Sequence, residues 1–306
     1  MSPLAAYLKK LGIAEFVIVD VGAKEKIECI SGIEELSEVH AFEPHPTEFD
    51  LLQEKYSVHP FKQLYLHRKG LFECSGKRSF HVSNNTSMSS LLAPDLHNYN
   101  KHFGNYRKFK NWAAAISTNQ TIDIDLTTID EFFSLNKAIE FLKIDTQGSE
   151  LSILKGAQSH LEKGLIKLIK IEVSTIATYE HQPLFSDIDL YLRNHHFTLV
   201  DFLTYRENSS FFFGQKHEIH FAPCGDAIYM FDGDLSDTEL IKNAVIINQL
   251  GYTSLAQHQL KNTGLSEEER MSLIKHSRKK EGNKFKRALK DLLPPVVLKL
   301  LKKNYF

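Results

Sequence analysis

Cysteine is scarce in this chain of 306 residues: Cys29, Cys74 and Cys224 are an odd set with no paired spacing. Neither a disulfide framework nor a zinc site follows, and a reducing, cytoplasmic compartment is the expected setting. Long apolar runs are missing too. No stretch approaches the roughly 18 apolar residues of a membrane-spanning helix. The opening MSPLAAYLKKLG lacks a basic segment followed by an apolar core, so no signal peptide is expected. The Gly-x-Gly-x-x-Gly fingerprint of a pyrophosphate cradle is also absent, which counts against NAD and FAD. What remains, at 42% hydrophobic and 25% charged, is the make-up of an ordinary soluble fold.

Net charge is nearly absent at −1, but it is unevenly distributed. Twelve lysines and arginines against two acids lie between Arg270 and Phe306, so a basic tail follows an acidic body. Within the tail, Phe285, Leu289, Leu292, Val296 and Leu300 fall on one helical stripe, interrupted by Pro294-Pro295. Two readings stand: a helix docked on the body, or a peripheral contact with the inner face of a membrane.

Short apolar runs alternate with helical patterns over the first two-thirds of the chain. Residues 16–21, 39–43, 61–67, 141–145, 168–173, 197–202 and 227–231 read as strands. Pro46 opens a helix through Lys55, and Thr128/Glu131, Ser236/Glu239 and Ser266/Glu269 have capping-box spacing. The alternation predicts an α/β fold with a parallel sheet over residues 1–233. Residues 70–125, polar and aromatic, read as an irregular insertion with a few short strands over one rim. Residues 234–306 read as a helical, basic extension of three or so helices.

The candidate chemistry sits at strand ends, where doubly wound sheets bind ligands. The first strand runs into Asp20-Val21-Gly22-Ala23. Glu43 follows Gly22 by 21 residues, a spacing that lets an acid accept hydrogen bonds from both ribose hydroxyls of an adenosine ligand. Adenosine without pyrophosphate points to S-adenosylmethionine. The fourth run ends in Asp145-Thr146-Gln147-Gly148-Ser149-Glu150, and the fifth carries Glu172. Acids in otherwise apolar strands cost free energy unless paired or wet, so these strand ends predict one polar cleft.

Together these runs, Val-Asp-Val-Gly-Ala, Ala41-Phe42-Glu43-Pro44, Phe141–Ala157 and Ile171-Glu172-Val173, resemble the FkbM family of S-adenosylmethionine-dependent methyltransferases. Tyr179–Phe185 and Phe197–Asp201 extend the likeness, which covers about residues 14–232. The resemblance implies a Rossmann-like class I fold: a seven-stranded, mostly parallel sheet with its last strand antiparallel. It also implies O-methylation of a sugar hydroxyl in a glycan, glycoconjugate or polysaccharide. By that likeness Asp20, Gly22 and Ala23 form the methionine-side turn and Glu43 holds the ribose. The family usually has Gly-Ala-Asn-x-Gly in this turn, and here Lys24 and Lys26 replace Asn and Gly. The alternative is a degenerate methyltransferase fold serving as a binding or scaffold module.

A sugar hydroxyl is a poor nucleophile, so a base beside it helps. Asp145 and Glu172 are the candidate bases, with His181 a third. No second pair of close ligands accompanies Asp145, so no metal site is expected. No nucleic acid partner is expected either, because no base-flipping or RNA-binding motif is present.

Overall fold

The computed structural model describes residues 1–28, 30–103, 112–204 and 223–278. The amphipathic stripe at 285–300 therefore lies outside the described residues. Among the described residues ten strands form: β1 (Phe16–Val21), β2 (Ser37–Phe42), β3 (Gln63–His67), β4 (Gly70–Leu71), β5 (Gly76–Ser83), β6 (Thr118–Thr127), β7 (Phe141–Ile144), β8 (Leu168–Ser174), β9 (Phe197–Thr204) and β10 (Cys224–Phe231).

Seven of them make one sheet in the order β3-β2-β1-β7-β8-β10-β9. β1 pairs in parallel with β2 and β7, β2 with β3, and β7 with β8. β10 enters antiparallel between β8 and β9. This is the class I methyltransferase arrangement expected from the sequence, a mostly parallel sheet whose last strand runs backwards.

Covered on both faces, the central strands β1, β2 and β7 are buried along their whole length and mainly apolar, with Asp20, Glu38, His40 and Lys143 as paired exceptions. Strand periodicity sends Phe16 and Ile18 to one face and Val17, Val19 and Val21 to the other. The first face packs under the helix Pro3–Lys10 and three C-terminal helices, Asp237–Leu250, Thr253–Lys261 and Glu267–Ser277. Ala244, Val245, Ile246, Ile247, Leu260 and Leu273 from those helices join Phe16, Ile18 and Val39 in a single cluster. Ser236 and Ser266 each form the complete capping box. Thr128 forms half of one: its hydroxyl accepts from the Glu131 N–H at 2.9 Å, while the Glu131 carboxylate engages Ser75.

The insertion is more regular than the sequence reading allowed. β5 and β6, of eight and ten residues, pair antiparallel, and β4 joins β6 in parallel. Phe72, Phe80, Val82, Ile124 and Leu126 give this small sheet its own apolar cluster. Beyond β5, the turn Thr86–Met88 leans over the carboxyl ends of β1 and β7.

Candidate active site

A cavity of about 400 Å³ opens above the carboxyl ends of β1, β2, β7 and β8. Gly22, Glu43, Asp145 and Glu172 all line it, together with Lys24, Glu48, Thr86, Ser87, Lys143 and Gln147. Four residues from separately predicted runs thus meet in one cleft. Two anticipated residues do not reach it. Asp20 and Ala23 are fully buried and lie beneath the wall.

Asp20 organises the first turn instead. One carboxylate oxygen accepts from the Glu28 N–H at 2.6 Å and the other lies 3.1 Å from the Lys143 ammonium. Burial raises the Asp20 carboxyl above its ordinary range, against the pull of Lys143. Burial alone would depress Lys143, but Asp20 and Asp145 more than reverse this and hold its ammonium above the usual lysine value. Lys143 also donates to the Gly22 carbonyl at 3.0 Å, so one buried cation ties β1 to β7. Gly22 is required by that same seam. Its φ is +79°, and a Cβ there would sit 2.0 Å from the Asp145 carbonyl oxygen.

Glu43 sits just past β2, only 6% exposed, with one oxygen accepting from the His45 N–H at 2.8 Å. Burial pushes its carboxyl up to about 7, partly offset by that hydrogen bond. A carboxylate held dry at a strand end is poised to accept donors from a ligand.

The turn after β7 arranges the remaining acids. Gln147, at φ +59° beside Gly148 at +112°, donates from Nε2 to Asp145 at 3.0 Å and to Glu172 at 2.6 Å. Its amide gathers the two carboxylates around one point. Burial, and then the charges of Asp145, Glu150 and Asp226, hold Glu172 well above the ordinary carboxylate range. Glu172 lies inside β8, opposite Asp226 of β10, rather than at the strand end as expected. Glu150 is structural: its carboxylate accepts from the N–H groups of Thr146 and Gly148 at 2.9–3.0 Å.

The matching family model is the "Methyltransferase FkbM domain", which covers residues 20–199. The chain belongs to the FkbM methyltransferase domain family. No curated protein shows significant similarity to it. Among solved structures, it is similar to the FkbM methyltransferase of Methylobacillus flagellatus KT, with 18% identity and a TM-score of 0.37, over 75% of this chain and 48% of that one. This chain therefore spans about half the length of that relative. It is also similar to a TehB-like SAM-dependent methyltransferase from Corynebacterium glutamicum, with 8% identity, a TM-score of 0.33 and coverage of 76% and 89%. A third likeness is the magnesium protoporphyrin IX methyltransferase of Synechocystis, solved with bound SAM, with 7% identity, a TM-score of 0.34 and coverage of 75% and 76%.

In this FkbM-family site Lys24, which stands where the family usually has Asn, has a definite job. Its ammonium donates to Thr86 Oγ1 at 2.5 Å and to Ser87 Oγ at 2.9 Å, and lies 3.5 Å from the Glu48 carboxylate. Thr86 Oγ1 in turn donates to Glu48 at 2.6 Å. First turn, insertion turn and the helix Pro46–Lys55 are thereby joined across the cavity. Sequence reasoning took Lys24 only as a departure and passed over Lys143 and Gln147, although both lie in the run that carried the resemblance.

His181 is not brought to the carboxylates. It occupies an exposed turn at φ +58° and does not line this cavity. Gln182 beside it does the local work, accepting from the Thr178 and Tyr179 N–H groups at 2.7 and 3.2 Å. Among the described residues no three His, Cys, Asp or Glu side chains converge as metal ligands, and no helix is long and apolar enough to cross a membrane.

Proposed function

We propose that this chain is an S-adenosylmethionine-dependent O-methyltransferase that acts on a hydroxyl of a sugar or glycan. The observation that carries the reading is the convergence of Gly22, Glu43, Asp145 and Glu172 on one cavity. The residues fit the cofactor. Glu43 has a free oxygen's worth of acceptor capacity for ribose hydroxyls, and the Gly22 turn offers backbone to the methionine end. When bound, S-adenosylmethionine supplies an electrophilic methyl group on a sulfonium.

The chain must hold the acceptor oxygen in line and take its proton as the new bond forms. Asp145 is the residue we assign to accept that proton: it is 38% exposed in the cavity, and Gln147 and the Lys143 ammonium 3.6 Å away fix its direction. Glu172, half-buried and held toward its protonated form, is positioned beside Asp145 by the same Gln147 amide, which donates to both carboxyl groups. Lys143 stabilises the cluster without entering the chemistry, since Asp20 holds it from below.

The test is Asp145→Asn, a nearly isosteric change. Methyl transfer from tritiated S-adenosylmethionine to a sugar acceptor is expected to fall by about 10²-fold or more, with the fold and cofactor affinity kept. A wild-type rate in that variant would remove Asp145 from the transfer step. The scaffold alternative takes Lys24 and Lys26 as damage to the turn; against it, Lys24 is hydrogen-bonded within the wall of the cavity, while Lys26 is exposed along the same lining.

A further inference from the structure

Away from the cleft, a groove of about 400 Å³ lies between the helices Thr253–Lys261 and Glu267–Ser277 and shares no lining residue with it. Each helix lends the groove one stripe. Ser254, His258 and Lys261 recur at i, i+4 and i+7, and Glu267, Arg270, Met271 and Ile274 at i, i+3, i+4 and i+7. Ile274 is buried and belongs to the floor. The rim is different. His258 and Lys261 are exposed, Arg270 is half-buried, and none of the three has an ion-pair partner among the described residues. Met271, beside Arg270, is 58% exposed, and one acid, Glu267, shares the lining. The helix that carries Arg270 and Met271 ends at Arg278, which is exposed. Beyond it the sequence holds nine lysines and arginines against two acids, with the apolar spacing from Phe285 to Leu300.

We propose that this groove is the docking surface for an anionic lipid bilayer. Lys261, Arg270 and, once protonated, His258 meet lipid phosphates, Met271 enters the headgroup boundary, and the basic sequence beyond Arg278 adds to the same attachment. The attachment stands independently of what the cleft binds. Charge complementarity decides the partner. Unpaired cations beside exposed apolar atoms match a surface whose phosphates lie over hydrocarbon. A nucleic acid duplex presents phosphates but no hydrocarbon for Met271. The chain's own tail, rich in lysine and arginine, does not complement Lys261 and Arg270. The groove supplies only a modest positive charge, because Glu267 offsets one cation, so the excess beyond Arg278 carries much of the attraction and the groove fixes which face meets the bilayer.

The test is co-sedimentation of the full chain with vesicles of phosphatidylcholine alone, or with about 30% phosphatidylglycerol added. Sedimentation is expected with the anionic vesicles only, and about 0.5 M salt should release the protein, because it screens the attraction. Lys261→Glu combined with Arg270→Glu should weaken the partition about 20-fold or more, since each basic residue near such a surface contributes roughly a fivefold factor. Met271→Ser should weaken it several-fold at low salt, which a purely ionic contact would not show. These side chains are unpaired at the surface, so the melting temperature should stay within about 2 °C. Where charge reversal lowers it further, Lys261→Gln with Arg270→Gln repeats the measurement in a milder form. A full chain that ignores anionic vesicles, or folded double variants that sediment like the unmodified protein, would overturn the proposal. An RNA duplex bound more tightly than the vesicles at the same salt would overturn it in favour of nucleic acid.

Discussion

Glu43 is where burial and function meet in one residue. Its carboxyl titrates at about 7 in the folded chain against an ordinary 4.5. Between those values the folded state holds the extra proton, so the cost of burying its charge is absent below 4.5, grows as pH rises and is complete above about 7. A ribose that donates hydrogen bonds needs the ionised form, so binding draws the proton off. S-adenosylhomocysteine affinity should therefore fall as pH drops from 8 to 6, by about tenfold, because each unit below the titration point costs up to a factor of ten. In Glu43→Gln that dependence should flatten. Equal dissociation constants at the two pH values in the unmodified protein would detach Glu43 from the ligand. The position of Glu43 was legible from its 21-residue spacing to Gly22, because β1 and β2 are adjacent parallel strands and the crossover between them sets that distance. The burial of Asp20 was not legible: it follows from the Lys143 ion pair across β1 and β7, and strand pairing is not written in local sequence.

At the scale of elements, the turn Thr86–Met88 is the piece that the cavity borrows from the insertion. Lys24 fastens it with two hydrogen bonds and an ion pair to Glu48. Lys24→Ala is expected to cost about 1–2 kcal/mol locally, discounted for the partial solvent access of the site. The readouts are faster amide exchange over residues 84–90 and a several-fold weaker S-adenosylhomocysteine complex. Unchanged exchange in that segment would mean the turn is held by other contacts. The insertion's strands were hidden by its polarity, yet Ile122, Ile124 and Leu126 alternate with Asp123 and Asp125, a period-2 signal that the structure realises in β6. The central strands of the main sheet are plainer, since burial on both faces makes them rich in apolar residues. The helix starts at Ser236 and Ser266 were equally plain. His181 shows the limit: a histidine near a functional run in sequence was turned outward by the Gln182-locked loop.

Over the whole molecule, one face of the sheet owes its cover to helices that follow the last strand. Ile246 is fully buried in the cluster that holds Phe16 and Ile18. Ile246→Ala should cost about 2–5 kcal/mol and shift a single cooperative unfolding transition. Two separable transitions would mean that the C-terminal helices fold as a unit of their own. The account as a whole comes down to whether the cleft over the strand ends binds the cofactor through Glu43. Titration calorimetry with S-adenosylhomocysteine tests this without knowledge of the acceptor. The account predicts one site per chain, weakened in Glu43→Ala by about 1.5–3 kcal/mol, or some 10- to 150-fold. No binding to the unmodified chain, or binding that a folded Glu43→Ala leaves unchanged, would contradict it.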